Sequence, residues 1–336
     1  MRVLIIGGTG LISTAITRQL VARGDSVTLF NRGKTEARVP DGVRFLHGDR
    51  KEYPEFEKAL SGTTWDAVID MIGFVPEDAA SAIRTFGGNV GQFLFCSTVC
   101  VYGGELSHLP AREDEPRTPT ATCGRNKVAC EDFFMEAFDR DRFPITIMRP
   151  SHTYGEGGVI VHSLGWGTTF IDRIRKGKPI VVHGDGTSLW VSCHIDDVAR
   201  GFVGALGNRK AIGKAYNVTG EEWQSWNRYL QGVAEAVGGA AEMVHIPTDV
   251  LGRLAPKRAS ATVDIFQYNS VFDNSASKAD LGFRCTVLWV DGVRRTVDWL
   301  DEQNRIAISD DDPFDDRLID AWRSSCDRLS RELALE

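Results

Sequence analysis

Val3-Leu-Ile-Ile-Gly-Gly-Thr-Gly-Leu-Ile-Ser13 (residues 3–13) is a four-residue aliphatic block that breaks into glycine and resumes as an apolar-periodic segment running to Arg23. The short block predicts a buried strand over 3–6 and the periodic segment a helix over 11–23, joined by a turn too glycine-rich to be either. Such a turn aims the unpaired N–H groups and the positive dipole end of a helix at an anion. Gly7 permits the tight turn and Gly10 lets the backbone approach a pyrophosphate. Ser13 takes the place where a third glycine usually allows close helix–sheet packing, and it is small enough to do so. Gly7, Thr9, Gly10, Leu11 and Ile12 are therefore candidate contacts for a dinucleotide.

The alternation continues beyond Arg23. Strands are expected over 26–30, 44–47, 67–71, 93–97 and 145–148, with helices near 55–60, 76–86 and 126–139. Short continuous apolar strands between helices build a parallel sheet covered on both faces, so the fold class is α/β, a Rossmann-type doubly wound parallel sheet. After Pro150 the texture changes to glycine-rich, tryptophan-containing stretches, 155–167 and 184–190. The expected division is a dinucleotide-binding domain over 1–155, to which the chain returns near 190–235. Residues 156–336 mainly form a smaller C-terminal, substrate-binding lobe and the C-terminal helices. An acidic loop over 309–316 precedes a last amphipathic helix over 317–333.

The end of the second strand bears on the choice of cofactor. A carboxylate there accepts from a ribose 2'-hydroxyl, whereas a cation accommodates a 2'-phosphate. Here it reads Asn31-Arg32-Gly33-Lys34, which favours NADP(H) over NAD(H), with Arg32 also able to stack on adenine. After the third strand, Asp49 is a candidate acceptor for the adenine amino group, and Arg50 stands beside it.

Composition narrows the partners. The 336 residues, 42% hydrophobic and 25% charged, suit a large globular chain, and the net charge of −7 with scattered cations gives no footprint for nucleic acid. Seven cysteines without a C-x-x-C pair point to reduced thiols. No apolar run is long enough to cross a membrane, and the opening run lacks the length and cleavage site of a secretory signal. The expectation is a cytoplasmic protein acting on a small molecule.

Five stretches in order, GGTGLIS (7–13), CSTVCVYGG (96–104), CGRNKVACE (123–131), RPSHTYG (149–155) and GDGTSLWVSCHIDDVA (184–199), resemble the extended short-chain dehydrogenase/reductase family, which includes NAD-dependent epimerases and dehydratases. The resemblance covers the chain to about residue 300. It implies that Thr98 orients the reacting oxygen, that Lys127 holds the nicotinamide ribose and lowers the pKa of the acid, and that Pro150 lies beside the cofactor. It also implies a homodimer, paired through the helix of the lysine motif and the preceding crossover.

Two positions depart from the family. Its Tyr-x-x-x-Lys tyrosine is Cys123 here, a shorter acid of ordinary pKa about 8.5 that a nearby cation would lower. Either Cys123 is the acid/base, or Tyr102, His152, Tyr154, His194 or a water replaces it, or the chain has no oxidoreductase chemistry; we favour replacement and treat Cys123 as lining the pocket. Where nucleotide-sugar enzymes carry an arginine for the diphosphate, this chain has Trp190, which argues for an apolar, aromatic or unphosphorylated sugar face. Trp166, Trp223 and Trp226 either extend that wall or pack as core. His194, Asp196 and Asp197 read as a helix start capped by a carboxylate, not as a metal site. The leading expectation is an NAD(P)H-dependent reductase of a carbonyl on a small aromatic or sugar-like molecule. The alternatives are an NAD(P)-dependent sugar epimerase or dehydratase and a catalytically silent dinucleotide-binding regulator.

Overall fold

The computed structural model describes residues 1–35 and 38–334; the last two residues of the expected C-terminal lobe lie outside that range. In chain order the elements are β1 (Arg2–Ile6), α1 (Leu11–Arg23), β2 (Ser26–Asn31), β3 (Arg44–His47), α2 (Tyr53–Leu60), β4 (Ala67–Asp70), α3 (Pro76–Phe86), β5 (Phe93–Cys96), α4 (Thr122–Asp141), β6 (Ile145–Pro150) and β7 (His152–Tyr154). They continue as α5 (Thr169–Arg175), β8 (Ile180–His183), β9 (Leu189–Trp190), β10 (Ser192–His194), α6 (Ile195–Ala205), β11 (Lys214–Val218), β12 (Gln224–Ser225) and α7 (Trp226–Ala236). The last are β13 (Met243–Ile246), α8 (Thr248–Leu254), α9 (Ser275–Leu281), α10 (Trp289–Glu302) and α11 (Phe314–Leu333).

Seven parallel strands form one sheet in the order β11-β6-β5-β4-β1-β2-β3. Val3 of β1 lies between Val27 of β2 and Ala67 of β4. Alternation explains why β1 is apolar throughout: Val3 and Ile5 enter the core under α1 and α6, while Leu4 and Ile6 enter the opposite core under α2, α3 and α4. Each fully buried aliphatic side chain contributes about 1.5–3 kcal/mol. The chain builds outward from β1 to β2 and β3, then crosses back to β4, β5 and β6. The order therefore reverses between β1 and β4, and the crevice outside their carboxyl ends is where ligands of such sheets bind.

The chain divides into two compact units. The first comprises 1–155, 191–222 and 271–287, and the second 156–190, 223–270 and 288–336. The return over 271–287 has no counterpart in the sequence reading. It is held by bonds such as Thr219 N–H to Asn274 Oδ1 (3.1 Å) and Asp273 N–H to the Ala111 carbonyl (2.8 Å), which leave no local signature. In the second unit β8 pairs with β13 and β9 with β12. Trp226 is core, its ring centroid 5.0 Å from Phe266 and 5.2 Å from Trp190, while Trp223 is exposed.

Two helix starts differ from expectation. α4 begins four residues before 126, and α11 begins inside the expected acidic loop, because Asp315 and Asp316 in a first turn favour the helix dipole. Among the described residues no helix is long and apolar enough to cross a membrane.

Candidate functional site

The glycine turn leaves β1 through two left-handed residues, Gly7 (φ 110°) and Gly8 (φ 77°). A Cβ on Gly8 would fall 2.8 Å from Leu29 Cδ2, so both conformation and space require glycine there. Gly10 caps α1 in extended backbone, and a Cβ on it would meet only Ser13 Oγ, at 3.4 Å. Ser13 has a function beyond its small size: its Oγ accepts from the Gly10 N–H (2.9 Å) and donates to the Gly10 carbonyl (3.1 Å), which locks the turn against the helix.

Beside this turn lies a cleft of about 260 Å³ lined by Gly7, Thr9, the 30–35 stretch, the 48–51 stretch, Ile72 and Phe74. Asn31 Oδ1 accepts from the Gly33 N–H (2.8 Å) and shapes the turn that carries Arg32 and Lys34. Arg32 is 60% exposed, with a guanidinium nitrogen 4.0 Å from an Asp49 carboxylate oxygen. The other Asp49 oxygen accepts from the Lys51 N–H (2.9 Å). Arg50, only 2% exposed, reaches Asp70 (2.9 Å) and Asp78 (3.3 Å). Its charge is paired inside the fold, and the side chain both lines the cleft and braces its wall. Asp78 also takes Lys51 (2.7 Å) and the N–H groups of Phe74 and Val75, which together hold it below the usual carboxylate range. These acids were missed, and nothing but the 50–70–78 proximity would have revealed them.

Lys127 lies in the second turn of α4, 7% exposed. Its Nζ donates to the carbonyls of Gly73 (2.8 Å) and Cys96 (2.5 Å) and sits 4.6 Å from the Phe95 ring centroid and 5.0 Å from that of Phe74. An ammonium has three donors, so one remains beyond the two carbonyls. The loop 71–74 after β4 thus joins the glycine turn to Lys127.

Thr98, half-buried after β5, accepts at Oγ1 from the Cys100 N–H (3.2 Å). Cys100 adjoins Cys123, at the exposed start of α4. Cys100's hydrogen bond, the N–H groups of a helix start and nearby Arg125 outweigh partial burial and pull Cys123 down to about 6. The partner Cys100 is pushed up, by that same hydrogen bond first and by burial second.

The other candidate residues of the first unit are more enclosed. Tyr102 is buried, its hydroxyl donating to Asn217 Oδ1 (2.7 Å) and accepting from Arg149 (2.9 Å), and burial pushes it up to about 12. Tyr154 and His194 are buried with their rings edge to face, 5.3 Å apart. His194 Nδ1 accepts from the Asp196 N–H (3.2 Å), so the α6 cap is an imidazole and not the expected carboxylate; Asp197 instead receives the N–H groups of Thr286 and Val287 (both 3.1 Å). His152 is half-buried, 2.8 Å from Ser192 Oγ, and burial lowers it to about 4. Pro150 closes β6 opposite Val218. In the second unit Trp190 is buried against Phe266 (4.9 Å), whereas Trp166 is 53% exposed and edges the same cluster, 5.8 Å from Phe266. Among the described residues no three His, Cys, Asp or Glu groups converge as a metal site.

Residues 3–219 match the NAD-dependent epimerase/dehydratase family model. The chain is 28% identical over 261 residues to a chloroplast stem-loop binding protein of 41 kDa from Arabidopsis thaliana, a match covering 73% of this chain and 65% of that protein, just under two thirds. It is 26% identical over 249 residues to 2'-dehydrokanamycin reductase of Streptomyces kanamyceticus, covering 74% and 70%. It superposes on UDP-glucose 4-epimerase of Thermus thermophilus in complex with NAD with a TM-score of 0.70 at 25% identity, covering 90% of this chain and 99% of that one. The chain belongs to the NAD-dependent epimerase/dehydratase family, a family of dinucleotide-dependent oxidoreductases, epimerases and dehydratases.

Proposed function

We propose that this member of the family is an NADP(H)-dependent reductase of a carbonyl on a small aromatic or sugar-like molecule that lacks a nucleotide diphosphate. The observation that carries the cofactor choice is the cleft beside the glycine turn. It offers exposed Arg32 and Lys34 at the end of β2, and the one lining carboxylate among the described residues, Asp49, is already engaged by Arg32 and the Lys51 N–H. The left-handed glycines and the first-turn N–H groups of α1 fit a pyrophosphate, and the third donor of Lys127 fits a ribose hydroxyl. Bound there, the nicotinamide supplies a hydride.

Thr98 Oγ1 orients the substrate oxygen. Cys123, its thiol held below the ordinary range, suits accepting a proton better than donating one in the reductive direction. Tyr102, Tyr154 and His194 are enclosed in the first unit and burial keeps His152 neutral and a weak acid, which favours water at Thr98 as the source of the proton for the product alkoxide. The absence of a cation at Trp190, and the name of the relative that is a reductase, support an unphosphorylated substrate and net reduction. A family in which epimerases and dehydratases are named favours a second reading, in which hydride returns to the substrate and the cofactor stays bound.

Calorimetry with NADPH and NADH tests the cofactor choice: wild type binds NADPH the more tightly, and Arg32→Asp narrows or inverts that preference. Each exposed cation on a phosphate is worth about 1 kcal/mol, or roughly fivefold. Tighter NADH binding by wild type defeats the proposal. With a panel of ketones, loss of NADPH absorbance supports reduction, and turnover without such loss supports the epimerase.

A further inference from the structure

We propose that Cys123 and Cys100 are a reactive dithiol which low-molecular-weight disulfides oxidise to an intramolecular disulfide, a modification site at the start of α4. The two side chains lie close enough for each to shift the titration of the other. Their backbones touch as well: a Cβ on Gly124, the residue after Cys123, would fall 2.5 Å from the Cys100 carbonyl oxygen. The start of α4 is thus packed directly on the turn that carries Cys100, and a disulfide requires such neighbouring backbones. Of the seven cysteines only Cys123 is exposed, so the attacking sulfur is the accessible one and its resolving partner lies directly behind it.

The rest of the chain supplies an internal control. Cys193 and Cys285 are also neighbours, the Cys285 thiol donating to the Thr219 carbonyl (3.4 Å), but Cys193 is buried and pushed well up, chiefly by that burial. Cys96 and Cys130 are buried and raised by burial to about 11 and about 12. Two adjacent thiols therefore do not suffice; reactivity needs a thiolate in reach of solvent. The groups facing Cys123 are Cys100 from the turn 99–101 and Arg125 on its own helix, whose guanidinium is held by the Thr120 carbonyl (2.5 Å) and Thr122 Oγ1 (2.8 Å).

The chemistry balances with a small disulfide as oxidant. The Cys123 thiolate attacks one sulfur of the small disulfide, forming a mixed disulfide and expelling one thiolate. Cys100 then loses its proton and attacks the Cys123 sulfur, expelling the second thiolate, which leaves as a thiol with that proton. The protein loses two electrons and two thiols, and the small disulfide is reduced to two thiols. The new bond ties the start of α4, one turn before Lys127, to the turn that carries Thr98.

The test uses the full-length, fully reduced protein with glutathione disulfide and needs no nucleotide, so it succeeds or fails independently of the cofactor reading. We expect two of the seven thiols to disappear, the mass to fall by two hydrogen atoms, peptide mapping to join 100 to 123, and dithiothreitol to reverse the change. In Cys100→Ser the reaction stops at a glutathione adduct on Cys123; in Cys123→Ser the fast phase is lost. Helix-start N–H groups and the Cys100 side chain hold Cys123 below the ordinary thiol range, so at pH 6 it keeps more thiolate than an ordinary exposed cysteine and reacts on the order of tenfold faster. The proposal is overturned if the folded wild type keeps all its thiols, if Cys123→Ser forms a disulfide at the wild-type rate, or if the 193–285 pair closes first.

Discussion

Replacing Lys127 by methionine separates what the ammonium does for the fold from what it does for the chemistry. In the folded chain Nζ satisfies the carbonyls of Gly73 and Cys96 and lies near the Phe74 and Phe95 rings. Methionine keeps the stem and the packing but strands both carbonyls, at about 1–3 kcal/mol each. It also removes the desolvation cost of a buried ammonium, which is itself several kcal/mol, so the two effects largely offset. The expected net destabilisation is about 1–3 kcal/mol, read as a lower urea midpoint with an unchanged slope. No such offset is expected in turnover: under the proposed function the variant loses the third donor that fits the nicotinamide ribose and the positive charge that the family resemblance sets near the acid, and loss of a group acting on proton transfer costs about 10²–10⁴-fold. The assay is a denaturation curve and single-turnover oxidation of NADPH on one preparation of Lys127→Met. A variant as stable as wild type that turns over within twofold of it would refute both the carbonyl cage and the assigned role.

Gly8→Ala places a Cβ 2.8 Å from Leu29 at φ 77°, costing about 1–2 kcal/mol in backbone strain plus the clash; we expect a lower midpoint and at least tenfold weaker dinucleotide binding, and undiminished affinity by calorimetry contradicts the turn's assignment. Burial lowers His152 and His183 to about 4 and His162 to about 3, so the unfolded chain binds more protons than the folded one as pH falls below about 6.5. The stability held by the neutral rings is thus full above that pH and is lost on the way down to about pH 4, on the order of 1–3 kcal/mol per ring. Urea midpoints at pH 7, 6 and 5 should fall in that order, and coincident midpoints speak against neutral buried imidazoles.

The β1–turn–α1 unit was legible because its information is local: an aliphatic block, a glycine turn and a 3.6-residue period each act within a few residues. The parallel sheet followed from repeats of that unit, and the cations at 32 and 34 from one short segment. The charge on Arg50 could be read as free for a ligand, yet its partners lie 20 and 28 residues away at the end of β4 and the start of α3. Tyr102 and Tyr154 carried a polar group that sequence could only assign to a pocket; the fold encloses both. A Cys at the place of the family's tyrosine was visible, but its partner, 23 positions earlier, was not.

What the sequence determined by itself was the alternation of strands and helices, the glycine turn and the sign of charge at the end of β2, because each depends on neighbours along the chain. Only the tertiary structure decided that Lys127 is caged by carbonyls from the loop after β4 and the end of β5, that Arg50 braces the cleft wall, and that Cys123 meets Cys100. Those outcomes rest on side chains brought within a few ångströms by sheet closure and helix packing, and such distances leave no periodic trace in the order of residues.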